Sequence, residues 1–406
     1  MKRTALRLIG SAWAILICLL IPHLQAQTYT VLYSFAGSST GSADGAGPTG
    51  YLVPDAHHNL YGVTFYGGDS GCSEGCGTVF KLRKDTETVL ERFHGTSNGQ
   101  NPTSGIRDED GNLYGATQSG GTYGYGVIFK INARGQQSVL YNFAGGSDGW
   151  DPFSALIRDD GNLYGTAVGG GNLTACPFNG CGSVYRVDKH GDHTILYNFS
   201  GPPDGEWPVG GLVRDAAGNF YGTTSAGGTG ACQSGCGVLF AIDRQGHETV
   251  LHNFAGAPYD GASPFASLTL DAAGNLYGTT AAGGASNAGT VFKLDRRGAL
   301  TILHSFTGMA DGGNPLSSVT RDEAGNLYGT TNSGGSTSCG YRGAGCGVVF
   351  RLDASGAYSV LHTFTEGADG GFPLWGGLTL DQEGNLYGLA SSGGANLQGV
   401  VFKITP

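Results

Sequence analysis

Seven copies of one sequence unit constrain the fold of this chain more than any other feature. The string NLYG, written NFYG in one copy, recurs at intervals of 50 to 59 residues, starting at Asn59, Asn112, Asn162, Asn219, Asn275, Asn326 and Asn385. Two further strings keep the same spacing, one like GTVFKL at 77–82 and one like VLYSF at 31–35. Several strand-like strings in a period near 50 residues indicate a β-propeller or a solenoid.

Each unit divides into four strands joined by tight turns. In the fifth unit the turn DAAG separates PFASLTL from NLYGTT, and the turn DRRG separates GTVFKL from TILHSF. Asp bonds the turn backbone, and Gly adopts the left-handed conformation that closes a hairpin. Four antiparallel strands per unit make a propeller blade. The 75 glycines suit such turns, and a hydrophobic content of 39% is too high for a disordered chain.

The two ends of the repeat array predict how the ring closes. The sequence ends in GVVFKITP, a third strand without a fourth, and TYTVLYSF at 28–35 is a fourth strand without a third. Together they complete one blade and leave no free sheet edge. We therefore predict one all-β domain at 27–406, a seven-bladed β-propeller whose closing blade has one amino-terminal and three carboxy-terminal strands.

Residues 1–26 have the pattern of a secretory signal peptide. A basic start at Lys2, Arg3 and Arg7 precedes an apolar run, and LQA at 24–26 is an acceptable cleavage site. An uncleaved membrane anchor is the alternative, although the run is short for a span of about 20 residues. Cleavage would leave 19 basic and 32 acidic residues, a net charge of −13, which disfavours binding to nucleic acid or anionic membranes. We expect a secreted or periplasmic monomer.

Three strings recur with the same spacing, namely D-x-x-G-N-L-Y-G-T-T-x-x-G-G, G-T-V-F-K-L and V-L-Y-N-F. Together they resemble the GloVer tandem repeat, which occurs in exported bacterial proteins with varied carboxy-terminal anchors. The resemblance covers nearly the whole chain after residue 26. It implies export and a repeat architecture, and it brings no activity, cofactor or binding residue. The chain ends at Pro406 directly after a strand, so we expect free secretion or a periplasmic location rather than a surface anchor.

Eight cysteines lie in pairs in the loop before the third strand, and units that lack one member of a pair lack both. In an exported chain this pattern predicts four local disulfides that set the shape of the loop, namely Cys72–Cys76, Cys176–Cys181, Cys232–Cys236 and Cys339–Cys346. A zinc site would need about four converging ligands, and each unit offers two thiols with no partnered histidine. We therefore expect neither a metal nor another cofactor.

The long and variable loops all lie on one face, opposite the tight D-x-x-G turns, and this loop face is the candidate site. Its blade-to-blade loop reads D-G-x-x-P, with Asn98 in one unit and aspartate in the other six: Asp44, Asp148, Asp204, Asp260, Asp311 and Asp369. These carboxylates could bind calcium near the channel mouth or close local Asx turns. We favour Asx turns, because an asparagine serves them equally well.

The variable residues in and beside these loops are the candidate ligand contacts. They comprise four aromatic residues and two neighbouring acids: Trp150, Trp207, Phe372, Trp375, Asp151 and Glu206. Counted from the proline, Trp375 occupies a position where the other units have Gly, Ser or Ala, so the repeat itself does not require it. Aromatic rings suit ligand contact, including stacking on sugars. The alternative is that these rings plug the channel mouth or pack beneath neighbouring loops.

Three functions fit these features. We favour a binding module whose loop face holds a glycan or another extracellular ligand such as a protein. The second is a polysaccharide hydrolase or lyase that uses Asp151 and Glu206 as paired carboxylates, and the third is a structural envelope protein. The sequence lacks the G-x-S-x-G, H-E-x-x-H and phosphate-loop motifs, and we assign no catalytic residue. Three units carry a histidine at a fourth-strand position where the other units carry Tyr or Glu. We expect these histidines to have a structural role: His252, His304 and His362.

Overall fold

The computed structural model describes residues 27–37, 44–68, 71–340 and 343–405, and the signal-like segment at 1–26 lies outside this described part. The described chain forms seven four-stranded antiparallel sheets, which confirms the prediction of an all-β, seven-bladed propeller. Helical structure within the described ranges is one 3₁₀ turn at Gly146–Asp148. None of the helical structure described there is long and apolar enough to cross a membrane.

We number the blades 1 to 7 in chain order, and the strands of each blade first to fourth from the central channel outward. The first three blades each use four consecutive strands, and blades 1 and 2 begin with the longest ones. Blade 1 comprises Gly45–Pro54, Leu60–Gly67, Thr78–Arg83 and Thr86–Arg92. Blade 2 comprises Gln100–Arg107, Leu113–Ser119, Val127–Ile131 and Gln137–Asn142. Blade 3 comprises Ile157–Asp159, Asn162–Ala167, Ser183–Val187 and His193–Asn198.

The next three blades have shorter first strands. Blade 4 comprises Val213–Arg214, Phe220–Thr224, Val238–Ile242 and Glu248–Asn253. Blade 5 comprises Thr269–Leu270, Leu276–Thr280, Thr290–Leu294 and Leu300–Ser305. Blade 6 comprises Thr320–Arg321, Leu327–Thr330, Val348–Leu352 and Tyr358–Thr363. Two short ribbons join the blade-to-blade loop to the end of the second strand, Gly205–Glu206 with Ala226–Gly227 and Gly261–Ala262 with Ala282–Gly283.

Blade 7 closes the ring as predicted. Its first three strands come from the carboxy-terminal part of the chain, Thr379–Leu380, Leu386–Ala390 and Val400–Thr405. The fourth strand, Thr28–Ser34, pairs antiparallel with the third, from Thr28 opposite Thr405 to Ser34 opposite Val400. The following residue, Phe35, is fully buried. The two ends of the described chain are therefore hydrogen-bonded to each other.

The Leu and Tyr of the NLYG motif pack in opposite directions between blades. Leu60 of blade 1 packs in a cluster with Leu389 and Val401 of blade 7. Tyr61 packs in the next cluster with Leu113 and other residues of blade 2. Successive side chains of a strand point to opposite faces of its sheet, so one dipeptide fills the space on both sides of its blade. This supports a scaffold role for the motif.

The Gly of the motif makes room for an aromatic ring of the third strand. A Cβ atom at Gly278 would lie 2.6 Å from Phe292 Cζ, closer than atoms of a packed core approach. The same encounter occurs in the other blades, where the third-strand ring belongs to a phenylalanine or, in blade 3, to Tyr185. A methyl group at this position would therefore overpack the centre of a blade, which typically costs about 1–3 kcal/mol.

The D-x-x-G turn is held together by its aspartate. In blade 5, Asp271 Oδ1 accepts the N–H groups of Ala273 and Asn275 at 2.9 Å, and Oδ2 accepts Asn275 Nδ2 at 2.8 Å and the Tyr277 hydroxyl at 3.1 Å. Burial opposes ionisation of Asp271, but these hydrogen bonds outweigh it and hold its pKa below the usual value. The motif thus ties its tyrosine to its own turn.

Candidate binding site at the mouth of the channel

The central channel is lined by residues of all seven blades and is filled by their side chains. The solvent space left in it is about 20 Å³, which is room for one or two water molecules. Tyr51 of blade 1 lines this space together with Ser267 and Ser318 of blades 5 and 6. A ligand can therefore contact the mouth of the channel on the loop face, but it cannot pass through.

Trp375 is an inserted residue, and this corrects the comparison made from the sequence. In the other six units the inward apolar residue of the first strand follows the proline by four positions, as from Pro208 to Leu212, and it is buried in all but blade 2, where Ile106 is half-buried. In blade 7 the interval from Pro373 to Leu378 is five. Gly376 is the residue packed against blade 1, where its Cβ would lie 1.9 Å from Gly50 O. Counting from the proline was wrong because the extra residue bulges into the channel.

The indole of Trp375 closes the mouth. Its ring lies 5.0 Å from that of Phe153 in an edge-on arrangement and 6.2 Å from that of Phe65. These partners belong to blades 3 and 1, so the indole reaches across the channel from blade 7. The ring is half-buried, which makes Trp375 both a plug and part of the floor of the loop face.

The residue before each blade-to-blade proline forms a ring around the mouth. All seven have φ between 51° and 60°, and we call them the mouth ring: Gly47, Asn101, Asp151, Trp207, Ser263, Asn314 and Phe372. Six of them are not glycine. Left-handed backbone is unfavourable for such residues, and a following proline favours extended backbone instead. Such strain persists only where the surroundings enforce it, and it is found most often at functional sites.

Hydrogen bonds on both sides of the backbone enforce this conformation. The N–H of each ring residue donates to a carbonyl of the preceding blade, two residues before its third strand; Trp207 N lies 2.9 Å from Cys181 O. On the other side, Trp207 O accepts the N–H of Ser225 at 2.9 Å. The backbone is thus held in the same way in every blade, while the side chain differs from blade to blade.

The four predicted disulfides are present, and they support the mouth ring. Each pair joins residues whose Cα atoms lie 5.1–5.8 Å apart. The second cysteine of each pair is fully buried, and its carbonyl is the acceptor for the ring residue of the next blade. The sequence predicted that the disulfides set loop shape; the structure adds which residues depend on it, namely Asn101, Trp207, Ser263 and Phe372.

The three other predicted aromatic residues differ in how much of the ring is used for packing. The indole of Trp150 lies flat over Gly169, where a Cβ would come within 2.1 Å of Cε2. Phe372 packs against the core cluster that contains Cys346. The half-buried indole of Trp207 makes no ring–ring contact with any other described residue. Trp207 is therefore the aromatic member of the mouth ring with the most freedom to contact a ligand.

The two predicted acids lie in different loops. Asp151 Oδ2 is 3.3 Å from Gln118 Nε2, whereas Oδ1 is buried with no hydrogen-bond partner among the described residues. Burial raises the pKa of Asp151 to about 6 and also raises that of Glu206. No hydrogen bond or ion pair joins the two acids within the described ranges. The mouth thus holds a poorly paired carboxylate, and the structure shows no direct contact between the two acids.

The aspartates of the D-G-x-x-P loops bond to backbone and to the fourth strand. Asp204 Oδ2 accepts the N–H of Ser200 and the hydroxyl of Tyr197, both at 2.9 Å. In the fourth strands of blades 4 to 6 a histidine replaces the tyrosine, with His252 Nε2 at 2.9 Å from Asp260 Oδ2. Across the described part of the chain, no three His, Cys, Asp or Glu side chains are grouped so as to hold a metal ion.

The pair between blades 1 and 2 reverses this polarity. The fourth strand of blade 1 carries Glu91 where the others carry Tyr or His, and the loop that leads into blade 2 carries Asn98 where the others carry aspartate. Asn98 Nδ2 donates to Glu91 Oε1 at 3.0 Å. The acceptor has moved to the strand and the donor to the loop, so the two sequence departures compensate each other. The sequence could have revealed that the strand residue and the loop residue contact each other, because the two positions change together among the seven units.

We expect Asn98→Asp to destabilise the protein by about 1–3 kcal/mol, because it places a second carboxylate against Glu91, whose pKa burial already raises. Urea unfolding at neutral pH measures the loss. The double variant Glu91→Tyr, Asn98→Asp recreates the Tyr197–Asp204 pair found between blades 3 and 4 and should recover most of the stability. A double variant no more stable than Asn98→Asp would contradict the pairing.

Comparisons with known proteins agree with this architecture. The profile of the Gloeobacter/Verrucomicrobia repeat matches residues 22–176, 69–273 and 232–406. No curated protein sequence matches the chain at a significant level.

Two solved structures from B. thetaiotaomicron share the fold. One is the extracellular domain of the hybrid two-component system BT3049, with a TM-score of 0.57 at 12% identity over 93% of this chain and 41% of that one. The other is the extracellular domain of the one-component system BT4673, with a TM-score of 0.55 at 11% identity over 93% of this chain and 40% of that one. The present chain thus spans about two fifths of each, and at this identity the likeness shows the fold alone.

The sequence matches assign the chain to a family, which the structural likeness alone does not. The three matched segments overlap, run from residue 22 to residue 406, and cover the units that build the seven blades. The chain therefore belongs to the Gloeobacter/Verrucomicrobia repeat family.

Proposed function

We propose that the protein is an extracytoplasmic binding module that holds a glycan or another extracellular ligand on its loop face. The observation that carries this proposal is the mouth ring. Seven backbone positions share one left-handed conformation, which is strained at the six that are not glycine, and the side chains there range from polar and acidic to aromatic. A rigid scaffold that presents variable side chains on loops is the usual design of a binding surface.

The chemistry of the ring suits a sugar. Trp207 offers a half-buried indole without a ring partner, and Asp151 offers a carboxylate oxygen without a hydrogen-bond partner among the described residues. Sugars are bound by an aromatic face against their C–H surface and by polar groups that accept their hydroxyl protons. The indole of Trp375 and the ring of Phe153 pack edge-on and add apolar surface at the channel mouth.

Three observations support a location outside the cytoplasm. Four disulfides are typical of proteins in an oxidising compartment. The sequence of residues 1–26 has the signal-peptide pattern. The two solved structures of the same fold are extracellular domains, one of a hybrid two-component system and one of a one-component system.

A glycan array probed with the purified protein tests the proposal. We expect saturable binding to one class of glycan, weakened roughly tenfold or more by Trp207→Ala, since truncation of a central tryptophan typically costs 2 kcal/mol or more. Tyr259→Ala is the matched control, because Tyr259 is 90% exposed and lies outside the mouth ring. Binding that survives Trp207→Ala would contradict the proposed site. Absence of binding across a broad panel of glycans and extracellular proteins would favour a structural envelope role.

One observation favours a second candidate, a polysaccharide hydrolase or lyase. The raised pKa of Asp151, about 6, is suited to a general acid. The same glycans incubated with the protein and analysed for shortened products decide between the two. Turnover that is lost in Asp151→Asn or Glu206→Gln, with binding retained, would replace the binding module by the enzyme.

A further inference from the structure

Blade 3 departs from the repeat at its first turn, on the face opposite the mouth ring. The interval from the strand-end arginine to the motif asparagine is five positions in blade 4, from Arg214 to Asn219, and four in blade 3, from Arg158 to Asn162. Asp160 has a φ of 46°, as in a two-residue hairpin. The shortened turn has no aspartate at the place from which the other turns bond to their motif tyrosine.

The missing aspartate leaves the tyrosine of blade 3 without its usual partner. In the six other blades the hydroxyl donates to the turn aspartate at 3.0–3.1 Å, through Tyr61, Tyr114, Tyr221, Tyr277, Tyr328 and Tyr387. The hydroxyl of Tyr164 has no such bond to a described residue, and its ring lies 4.7 Å from that of Phe220. A hydrogen-bond donor is therefore left over in the groove between blades 3 and 4.

Three arginines line the same groove. A cavity of about 150 Å³ is bounded by Tyr164, Arg186, Arg214 and Arg244, which is room for about five water molecules. The guanidinium of Arg244 lies over Gly218, where a Cβ would come within 2.3 Å of Nε. The Nε groups of Arg186 and Arg214 are buried and have no hydrogen-bond partner within the described chain. The groove thus concentrates positive charge and unused N–H donors.

Three carboxylates lie near these arginines, and each is engaged. Asp188 interacts electrostatically with Arg186, and its Oδ1 accepts the N–H groups of His190 and Asp192 of its own turn. Asp159 Oδ2 is 2.9 Å from Arg214 Nη1. Asp243 Oδ1 accepts the N–H groups of Gln245 and His247 of its own turn, and Oδ2 lies 3.1 Å from the His247 ring. Arg186 Nη2 donates to Thr194 Oγ1 at 3.3 Å, and neither Arg186 nor Arg244 forms an ion pair within 4 Å of a described carboxylate. Three arginines balance three carboxylates at this place, whereas the whole chain has a formal net charge of −10.

We propose that the groove between blades 3 and 4 binds an oxyanion, the sulfate, phosphate or carboxylate group of a ligand outside the protein. The oxyanion takes the place of the turn carboxylate that the other six blades supply from within. Arg186 and Arg244 donate charge-assisted hydrogen bonds to it, and the Tyr164 hydroxyl donates a third. Guanidinium groups suit this task because their N–H donors match the spacing of oxyanion oxygens. The cavity holds one such group and no large ring system.

Calorimetric titration with sulfate, phosphate and glucuronate at constant ionic strength tests the site and distinguishes the three sources. We expect saturable 1:1 binding of at least one anion, weakened roughly tenfold or more by Arg186→Gln or by Arg244→Gln. Arg107→Gln is the matched control, because Arg107 lies over Tyr61 in a groove where Asp55 already bonds the tyrosine. Equal affinity in Arg186→Gln and the unchanged protein would overturn the proposal.

A second variant restores the repeat instead of removing a residue. Inserting an alanine between Asp159 and Asp160 recreates the D-x-x-G-N spacing of the other blades and brings a carboxylate back to Tyr164. We expect this variant to fold with an unfolding midpoint at least as high as the unchanged protein and to bind none of the three anions. A folded insertion variant that binds them as well as before, or an unchanged protein that binds none of them above chloride, would refute the site.

Discussion

Deletion of residues 28–37 is expected to prevent the chain from forming a stable propeller. The segment supplies the fourth strand of blade 7 and the fully buried Phe35. Truncating a buried phenylalanine alone costs about 3–5 kcal/mol, against a typical free energy of unfolding of about 5–15 kcal/mol. The deletion also exposes Val400–Thr405 as an unpaired strand edge, which favours aggregation. Circular dichroism and denaturant unfolding would show the loss.

A circular permutant provides the control for this deletion. Because Thr28 lies opposite Thr405, a turn of the D-x-x-G type can join them, and the chain can then begin at Asp44. Asp44 must be kept, since it accepts the Tyr33 hydroxyl at 3.0 Å and the Ala36 N–H at 2.8 Å. The permutant should recover folding with all four strands of blade 7 in one stretch. A deletion variant with an unchanged unfolding midpoint would show that ring closure contributes little.

Reduction of the four disulfides is expected to lower the free energy of unfolding by several kcal/mol. The cysteines of each pair are separated by four to seven positions, and closing a loop of this size contributes about 2 kcal/mol in the chain-entropy account. The effect is cumulative because the four loops lie in different blades. Denaturant unfolding with and without a thiol reductant measures it.

The same reduction should loosen one part of the mouth ring and spare the other. Cystine-bearing loops provide the carbonyls for Asn101, Trp207, Ser263 and Phe372, whereas loops without cysteines provide those for Asp151 and two others. Amide hydrogen exchange should therefore accelerate at the first four positions and stay constant at Asp151, Gly47 and Asn314. Uniform acceleration at all seven would mean that the disulfides act on the propeller as a whole.

The fold could be predicted because the same pattern of strands and turns recurs seven times in the sequence. A turn signal that is ambiguous once becomes clear when D-x-x-G precedes NLYG again and again. The paired presence of cysteines, as in Cys232 and Cys236, likewise predicted their pairing. The position of Trp375 was misjudged for a related reason. Alignment by the nearest motif fails where a residue is inserted, and counting back from the buried Leu378 would have revealed it.

The mouth ring could not be predicted from the sequence, because its members share a backbone conformation rather than a residue type. Nothing in the pairs Trp207–Pro208 or Phe372–Pro373 signals a left-handed residue, since a residue before proline normally favours extended backbone. The conformation comes from hydrogen bonds to a neighbouring blade, a contact between residues distant in sequence. The filled channel was equally hidden, because Tyr51, Ser267 and Ser318 come to line the same space only when the ring has closed.

The filled channel also separates the two faces of the protein. The space inside it is about 20 Å³, which is too small for a sugar to pass from the loop face to the turn face. The two proposed sites nevertheless share one short stretch of chain, since Trp207 and Arg214 are seven residues apart, or roughly 20 Å of extended chain. The propeller is thus built as a spacer rather than a conduit. It is suited to holding two different partners at a fixed distance, with an aromatic contact at one end and an oxyanion at the other.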